Sequence, residues 1–543
     1  METSNFTNGF EFTVPSTVQT VFYDSTTSAE VGQDFVLPDY QPEMRKLLRV
    51  TPSIQPPSRF LGVGEAEFAG NISFHVLYIG GDGGLYTADL AAPYTFRVPT
   101  EGDDRMSGDR PLCLGAEMAA ESVIPRLIAP RKLQIKCRLS AHIVGLCDEE
   151  TDVRGDRELI GERLEQTVLS SRAATAVGEA LELTDEFPVP AGEGEPRLIG
   201  TEGTVQITEA IPAEGGVSCR GELHLKLLLT RDRALSVSAE EGAQMSELSP
   251  TVDRELPETV TRRIPFTQTI EMPISAEREG YEAIAYGCCT DISVRVEDDR
   301  LLCAATVVAE AQMQGNEKST FVRDCYATTR PTACVMRPYT YRRALCCVNG
   351  NVTSGGTVPS AQAGIPQGIT PIDLSGSAVL TGVSCERGHI VLTGDALYRL
   401  LYRTAEGEIG HTEFHLPLRY ELPDSGTVCD EGLDADARAV MLSGRIRPEG
   451  EEGYTVDAEW AIAARIFAQQ TAEAVDEVHP DGEATPPEGA YILCYPAPGE
   501  SLWSVAKRYR TPLRALASLN DLPGAADPAS PLSLDGVKYL MIG

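Results

Sequence analysis

Residues Gly70–Tyr78 read GNISFHVLY, a stretch in which large apolar residues alternate with small or polar ones. This period of two predicts a β-strand that buries one face. The same pattern returns as GELHLKLLL at Gly221–Leu229 and as GDALYRLLY at Gly394–Tyr402. Recurrence at three places indicates an internal repeat, so the chain is expected to be mainly β.

The same features follow each of these strands in the same order. A turn rich in Gly, Asp or other small polar residues comes first. The predicted turns are Gly80–Gly84, Thr230–Asp232 and Ala405–Gly407. A second strand then ends in proline, which cannot donate a hydrogen bond to a neighbouring strand. These strands are Tyr94–Pro99, Gln268–Pro273 and Leu418–Pro423.

A third element with strand-like alternation closes each repeat. These elements are Lys132–Ile143, Leu301–Met313 and Tyr454–Phe467. The three repeats are therefore predicted at residues 39–150, 194–318 and 358–470, in tandem. Together they resemble the SPOCS domain family, which recurs in sporulation proteins. The second repeat departs by a charged insertion, about Ala239–Arg263, which is expected to form an exposed loop.

The segments outside the repeats differ in composition. Residues 1–38 are taken as an N-terminal segment and 319–357 as a connector. Residues 151–193 are interpreted as a connecting helix and linker, because apolar residues recur there at helical spacing. These residues are Leu159, Ile160, Leu164, Val168 and Leu169. Residues 471–489, rich in Glu, Asp, Ala and Pro, predict an extended linker that lets the C-terminal residues move independently.

The C-terminal residues predict a small βααβ unit. Tyr491–Cys494 is the first strand, and Ser501 or Glu500 caps a helix. That helix carries an apolar stripe of Leu502, Val505, Ala506 and Tyr509. A second helix begins at Thr511–Pro512, with Thr511 as the N-cap, and ends at Asn520. It buries Leu513, Leu516 and Leu519, and a closing strand is predicted at Gly536–Leu540.

Three motifs in this unit resemble the LysM family. They are GESLW at Gly499–Trp503, AKRY at Ala506–Tyr509 and LASLN at Leu516–Asn520. The resemblance implies a βααβ fold for residues 490–543 and a shallow groove for N-acetylglucosamine-containing glycans. By the same resemblance, the groove residues are Gly499, Glu500, Ser501 and Leu502, with Asn520, Asp521, Leu522 and Pro523 opposite.

Two features depart from the LysM pattern. Arg510 replaces the usual glycine after the first helix, and Pro528–Leu534 lengthens the approach to the last strand. Both put the shape of the groove in doubt. Trp503 is expected in the core instead of serving as a platform for sugar, because its neighbours on the helix also point inward.

Charge and cysteine content limit the class of protein. The 80 acidic against 46 basic residues give a net charge of −34. Such a charge repels phosphate, so no nucleic acid partner is expected. No apolar stretch is long enough for a membrane helix, and no export signal is visible at Met1–Phe12, so residence inside a cell is expected. The 14 cysteines are then expected to be mostly reduced core residues.

No constellation typical of catalysis stands out in the sequence. Metalloprotease, nucleophile-elbow and phosphate-loop motifs are missing, and Gly80–Gly84 is interpreted as a hairpin turn. The adjacent pairs Cys288-Cys289 and Cys346-Cys347 lack zinc-ligand spacing, so no metal site or other cofactor is expected. Acidic residues abound, so a paired-carboxylate glycosidase is not excluded by counting. The chain is nevertheless expected not to be an enzyme.

Three SPOCS-like repeats before a LysM module resemble the architecture of clostridial sporulation proteins that partner the stage IV coat-morphogenetic ATPase. This resemblance implies a tethering protein in the mother-cell cytoplasm, at the forespore surface and spore coat. Its LysM module would dock to that ATPase, to N-acetylglucosamine-containing glycan, or to both. The alternative is a peptidoglycan-binding cell-wall protein or hydrolase accessory.

Overall fold

The computed structural model describes residues 17–62, 65–99, 112–233, 253–254, 257–272, 280–423, 432–450, 453–483, 491–522, 533–534 and 536–543. It is mainly β, with 77% strand and 5% helix. This confirms that the chain is mainly β, as the alternating stretches predicted. Within these ranges, no helix is both long enough and apolar enough to cross a membrane.

The strands fall into three sets followed by a C-terminal module. Set 1 holds β1 (Thr17–Val36), β2 (Met44–Ile54), β3 (Ser58–Leu61), β4 (Glu65–Gly80), β5 (Leu85–Pro99), β6 (Leu112–Ala129) and β7 (Lys132–Glu150). The short β8 (Arg154–Gly155) and a 3-10 helix (Arg157–Leu159) follow. Set 2 holds β9 (Glu162–Val177), β10 (Leu181–Pro188), β11 (Glu195–Ala213), β12 (Gly216–Arg233), β13 (Asp253–Arg254), β14 (Glu258–Glu271), β15 (Glu282–Glu297) and β16 (Arg300–Tyr326).

Set 3 holds β17 (Thr332–Pro359), the short α1 (Ser360–Ala363), β18 (Thr370–Glu386), β19 (His389–Arg403), β20 (Ile409–Glu421), β21 (Leu433–Glu449) and β22 (Gly453–Pro480). The C-terminal module holds β23 (Ile492–Cys494), α2 (Leu502–Tyr509), α3 (Leu513–Leu519) and β24 (Leu540–Ile542).

One antiparallel pairing scheme recurs in all three sets. A central strand pairs with the strands before and after it: β4 with β2 and β5, β12 with β11 and β14, and β19 with β18 and β20. The last strand pairs with its predecessor and with the first strand: β7 with β6 and β1, β16 with β15 and β9, and β22 with β21 and β17. Each set encloses its own apolar core.

The three stretches that predicted the repeat are the central strands. Equivalent positions in them are buried alike: Phe74, Leu225 and Tyr398 are at most 1% exposed. The period-two prediction is therefore confirmed. The turn prediction is confirmed at 81–84 and 405–407, but it is wrong at Thr230–Asp232, because β12 continues there to Arg233 and pairs with β13. The repeat boundaries 39–150, 194–318 and 358–470 stay a prediction, and the first strand of each set begins before them.

The connecting helix predicted within 151–193 is wrong, because these residues form β9 and β10, both paired with β16. The helical spacing of the apolar residues has another cause. Leu159 lies in the 3-10 helix, whereas Leu164 and Val168 lie on β9, and each of the three contacts a different apolar cluster. Strand β16 is 27 residues long, and β9 satisfies the backbone groups along its C-terminal part.

The linker predicted at 471–489 is also wrong over its first ten residues. Residues 471–480 are the end of β22 and pair with the start of β17. Ala472, Ala474 and Val478 are buried there, whereas Glu473 faces solvent. Alternating alanine and acid is thus a strand pattern with a shallow buried face. Residues 484–490 lie outside the described ranges.

Two further expectations need correction. Glu258–Arg263, predicted as part of an exposed loop, belongs to β14, while 239–252 lies outside the described residues. Twelve described cysteines are free thiols, and seven of these are buried. Cys385 is disulfide-bonded, so the expectation of reduced thiols fails at this position.

A buried ion cluster joins the three sets. Arg49 of β2 donates to Glu202 of β11 at 2.6 Å and to Asp373 of β18 at 2.7 Å. Lys226 of β12 lies 2.9 Å from both carboxylates. Burial alone would raise the pKa of Glu202, but Lys226 and Arg49 outweigh it and hold that pKa well below its usual range. An apolar cluster with members from all three sets adds to the junction.

A second charged junction lies where β1 of set 1 meets β17 of set 3. Arg342 of β17 donates to Asp24 of β1 at 3.2 Å, and Arg465 of β22 donates to Asp436 of β21. Near Asp436, Glu117 of β6 is partly buried. Burial, with the Asp436 carboxylate adding to it, raises the pKa of Glu117 to about 7.

We expect Glu117 to make stability fall as pH rises. Its folded pKa of about 7 lies above the usual 4.5, so the unfolded chain loses this proton first and stability falls across that window. Glu117→Gln removes this loss. The variant should match the native protein near pH 4 and exceed it near pH 8 by up to about 3 kcal/mol. Thermal unfolding midpoints at both pH values measure this.

Glu121→Gln is the matched control. Glu121 lies on β6, like Glu117, but it is exposed and forms an ion pair with Arg138. It should leave the difference between the two pH values unchanged. If Glu117→Gln behaves like Glu121→Gln, the explanation based on Glu117 is wrong.

Candidate functional site

The C-terminal module has the βααβ order predicted from its sequence. Strands β23 and β24 pair antiparallel, with Leu493 opposite Met541. Both helices pack their apolar stripes against this small sheet in one core cluster. The closing strand is displaced from the prediction: β24 spans Leu540–Ile542, whereas 537–539 is irregular.

The start of α2 is fixed by a reciprocal cap. Ser501 Oγ accepts from the Ser504 backbone N–H at 3.2 Å, and Ser504 Oγ accepts from Ser501 N–H at 3.1 Å. Of the two predicted candidates, Ser501 and Glu500, Ser501 is thus the N-cap. For α3 the prediction is wrong, because Pro512 is the N-cap and the Thr511 hydroxyl donates to the Tyr509 carbonyl. Arg510, which replaces glycine, adopts the left-handed conformation with φ 55°.

Most residues of the first predicted groove loop are buried or form contacts within the module. Leu502 is fully buried, so its side chain belongs to the core. Glu500 accepts from the Ala497 N–H at 2.9 Å and pairs with Arg508 at 3.0 Å. The Glu500 carbonyl accepts from Leu534 N–H at 3.1 Å. Gly499 is exposed at the tip of the turn, with φ 76°.

The second predicted groove loop begins at the end of α3. Asn520 fastens this end to the sheet, since its side chain donates to the Met541 carbonyl at 2.7 Å and accepts from the Met541 N–H at 2.6 Å. Asp521 is exposed and Leu522 half-buried against the core. Pro523 lies outside the described residues. Of the predicted groove residues that are described, Gly499 and Asp521 are therefore the most accessible.

The module is anchored on set 2 through Trp503. The indole Nε1–H donates to Asp324 of β16 at 2.8 Å, and Lys507 Nζ donates to the same carboxylate at 2.5 Å. The indole ring lies edge-on to Tyr326, with ring centroids 5.1 Å apart. The Tyr326 hydroxyl donates to the Thr511 carbonyl at 2.8 Å.

This anchor corrects the expectation that the module moves independently. Trp503 is 4% and Tyr326 2% exposed, so the contact is dry and well packed. The core position predicted for Trp503 is confirmed, but part of that core comes from set 2. Sequence reasoning missed Asp324 and Tyr326. A buried indole needs an acceptor for its N–H, yet nothing in the sequence shows that the acceptor lies 179 residues away.

The outer face of the two-stranded sheet exposes large apolar side chains. Leu493 is 51% and its partner Met541 40% exposed. Tyr491, Tyr495 and Tyr539, each two residues along the chain from one member of this pair, are exposed as well. We call these five residues the outer sheet face. An exposed patch of this kind is typical of an interaction surface.

Residues 497–528 match the family model of the LysM domain. The match covers α2, α3 and the first groove loop, and it suggests binding to peptidoglycan or other glycans that contain N-acetylglucosamine. No curated protein and no solved structure matches the chain. The comparisons give no support for the SPOCS resemblance of the three sets. Over the described part of the chain, no group of three or more His, Cys, Asp or Glu side chains could hold a metal ion.

We expect Asp324→Ala to loosen the LysM domain from set 2. The substitution leaves the buried Trp503 N–H without its acceptor, which costs about 1–3 kcal/mol. Cleavage between the LysM domain and the sets under limited proteolysis should become faster. Asp457→Ala is the control, because Asp457 forms an exposed ion pair with Arg447 in set 3.

Trp503→Phe completes a double-mutant cycle, because phenylalanine keeps a ring but lacks the N–H. The two substitutions should be less than additive, since each removes the same hydrogen bond. Full additivity would show that Asp324 does not hold Trp503.

Proposed function

We propose that this chain is a non-catalytic assembly protein of the spore coat, which tethers a coat component through its LysM domain. The three strand sets form the body, and the LysM domain is fixed to that body by Trp503. We place the protein in the mother-cell cytoplasm, at the forespore surface. This proposal draws on the resemblance to sporulation proteins and on the geometry of the LysM domain.

One observation carries the tethering role: the LysM domain is anchored by residues other than those predicted for its groove. Trp503, Lys507 and Thr511 contact set 2, whereas Gly499 and Asp521 are exposed. A groove held in a fixed orientation on a large body suits a protein that positions one layer against another. The fixed orientation of the LysM domain also lowers the entropy cost of binding, because the domain is already ordered.

The first ligand class that we propose is N-acetylglucosamine-containing glycan. Turn backbone groups and small polar side chains suit acetamido and hydroxyl groups, which are neutral hydrogen-bonding partners. A neutral sugar is also compatible with the net charge of −34, which would repel an anionic polymer.

The second partner that we propose is the stage IV coat-morphogenetic ATPase, docked on the outer sheet face. Leu493 and Met541 lie opposite each other on this face, and Tyr491, Tyr495 and Tyr539 are exposed near them in the chain. Tyrosine and methionine are enriched at protein interfaces. Glycan and ATPase would then occupy different surfaces of one LysM domain.

A different function is a peptidoglycan-binding cell-wall protein or hydrolase accessory. The LysM match favours it, because that match suggests glycan binding without reference to sporulation. Production of the protein only during sporulation would support coat assembly. Production in growing cells would support the cell-wall alternative.

Calorimetric titration of the full-length chain with N-acetylglucosamine oligomers tests the glycan ligand. We expect micromolar binding, about −8 kcal/mol. Asp521→Arg places a bulky side chain at the groove and should weaken binding at least about tenfold, or about 1.4 kcal/mol. Leu493→Lys on the outer sheet face should leave glycan binding unchanged.

The same two variants test the ATPase in a pull-down with the purified enzyme. Leu493→Lys should abolish capture, because a charge at the centre of an apolar contact is costly to bury. Asp521→Arg should preserve it. If the titration with glycan gives no heat but the native chain still captures the ATPase, protein docking is the remaining function. If the native chain binds neither the glycan nor the ATPase, the tethering proposal is contradicted.

A further inference from the structure

Two thiols meet where the chain passes from set 2 to set 3. Cys325 is the second-last residue of β16, and Cys334 is the third residue of β17. Their Sγ atoms are 3.7 Å apart, and the Cys334 thiol also lies 3.3 Å from the Cys325 carbonyl. The two strands pair with different partners, since Cys325 is opposite Arg163 and Cys334 is opposite Val478. A bond between the sulfurs would therefore link two sets.

The two thiols differ in accessibility. Cys325 is fully buried, whereas Cys334 is half-buried and can be reached from solvent. This is the arrangement of a dithiol in which one sulfur attacks first and the other resolves the intermediate. Two buried core cysteines in simple packing contact would not show this asymmetry.

The surroundings favour a thiolate at Cys334. The Cys325 thiol, which can donate to Cys334 Sγ, lowers the pKa of Cys334 to about 6, and the Lys507 ammonium adds to this. The pKa of Cys325 is raised well above its usual range, because its thiol donates to Cys334 and is buried. Cys334 is thus expected to be the nucleophile, and Cys325 the sulfur that reacts second.

We propose that Cys325 and Cys334 form a redox-active dithiol that is oxidised by small-molecule disulfides of the glutathione class. The Cys334 thiolate attacks one sulfur of the small disulfide, forms a mixed disulfide and releases one thiolate. Cys325 then loses its proton, attacks Cys334 Sγ and expels the second thiolate. Starting from the Cys334 thiolate and the Cys325 thiol, the protein loses two electrons and one proton, and the small disulfide is reduced to one thiol and one thiolate.

The position of the dithiol links it to the LysM anchor. Asp324, which precedes Cys325, accepts hydrogen bonds from Trp503 and Lys507 and lies 3.8 Å from Cys334 Sγ. Oxidation replaces the Cys334 thiolate beside Asp324 with a neutral disulfide sulfur and closes a short covalent loop around residues 326–333. The bond therefore restrains the segment of set 2 on which the LysM domain rests.

The test is incubation of the folded full-length chain with glutathione disulfide, followed by alkylation of remaining thiols, digestion and mass spectrometry. We expect a Cys325–Cys334 linked peptide that has lost two hydrogen atoms. Cys288 and Cys289 are the internal control: both are half-buried, and burial raises the pKa of each to about 12, so they should be recovered alkylated. Full alkylation of Cys325 and Cys334 would overturn the proposal.

Two variants test the order of attack. Cys325→Ser should accumulate a glutathione adduct on Cys334, because no second thiol resolves it. Cys334→Ser should leave Cys325 unmodified, because Cys325 is buried. A glutathione adduct on Cys325 in the second variant, or a native chain that stops at the mixed disulfide, would contradict the mechanism.

Discussion

The arrangement of the three strand sets depends on Arg49, a single buried guanidinium that binds a carboxylate from each of the other two sets. Removing charges from water costs several kcal/mol per ion, and only close partners offset this cost. Glu202 and Asp373 provide these partners at 2.6 and 2.7 Å, but only when all three sets are in place. The cluster therefore favours one relative orientation of the sets over others that would bury the same apolar area.

This fixed body determines how the LysM domain is oriented. Strand β22 runs to Pro480, and the indole of Trp503 packs against β16 and donates to Asp324. The groove and the outer sheet face of the LysM domain consequently have defined directions relative to the sets. Under the proposed tethering function, such rigidity would hold the two partners at a set distance. The dithiol at Cys325 and Cys334 lies at the same support, where set 2, set 3 and the LysM domain meet.

Patterns that depend on near neighbours were readable from the sequence. The alternation in Gly70–Tyr78 and its two counterparts predicted the three central strands, and the position before an apolar stripe limited the cap of α2 to Ser501 or Glu500. The LysM domain was recognisable because its motifs are short and contiguous. These features are local, and local propensity agrees with the fold at each of them.

Features set by distant partners could not be read in this way. Leu159, Leu164 and Val168 have helical spacing, yet Leu159 lies in a 3-10 helix and the other two lie on β9, which pairs with β16. The acidic composition of 471–480 predicted a linker, although this segment pairs with β17 and buries Ala472 and Ala474. No sequence pattern predicts the acceptor of Trp503 or the partners of Arg49. Pairing of this kind is decided by tertiary contacts, which override composition.

The central claim is that the LysM domain is a fixed part of the body. Fluorescence anisotropy decay tests it most directly, with a fluorescent amino acid at Ser518, an exposed position of α3. The account predicts that the label reports only the slow rotation of the whole 58.5 kDa chain, apart from motion of the dye itself. A large faster component, with the correlation time of a domain of about 50 residues moving alone, would contradict it.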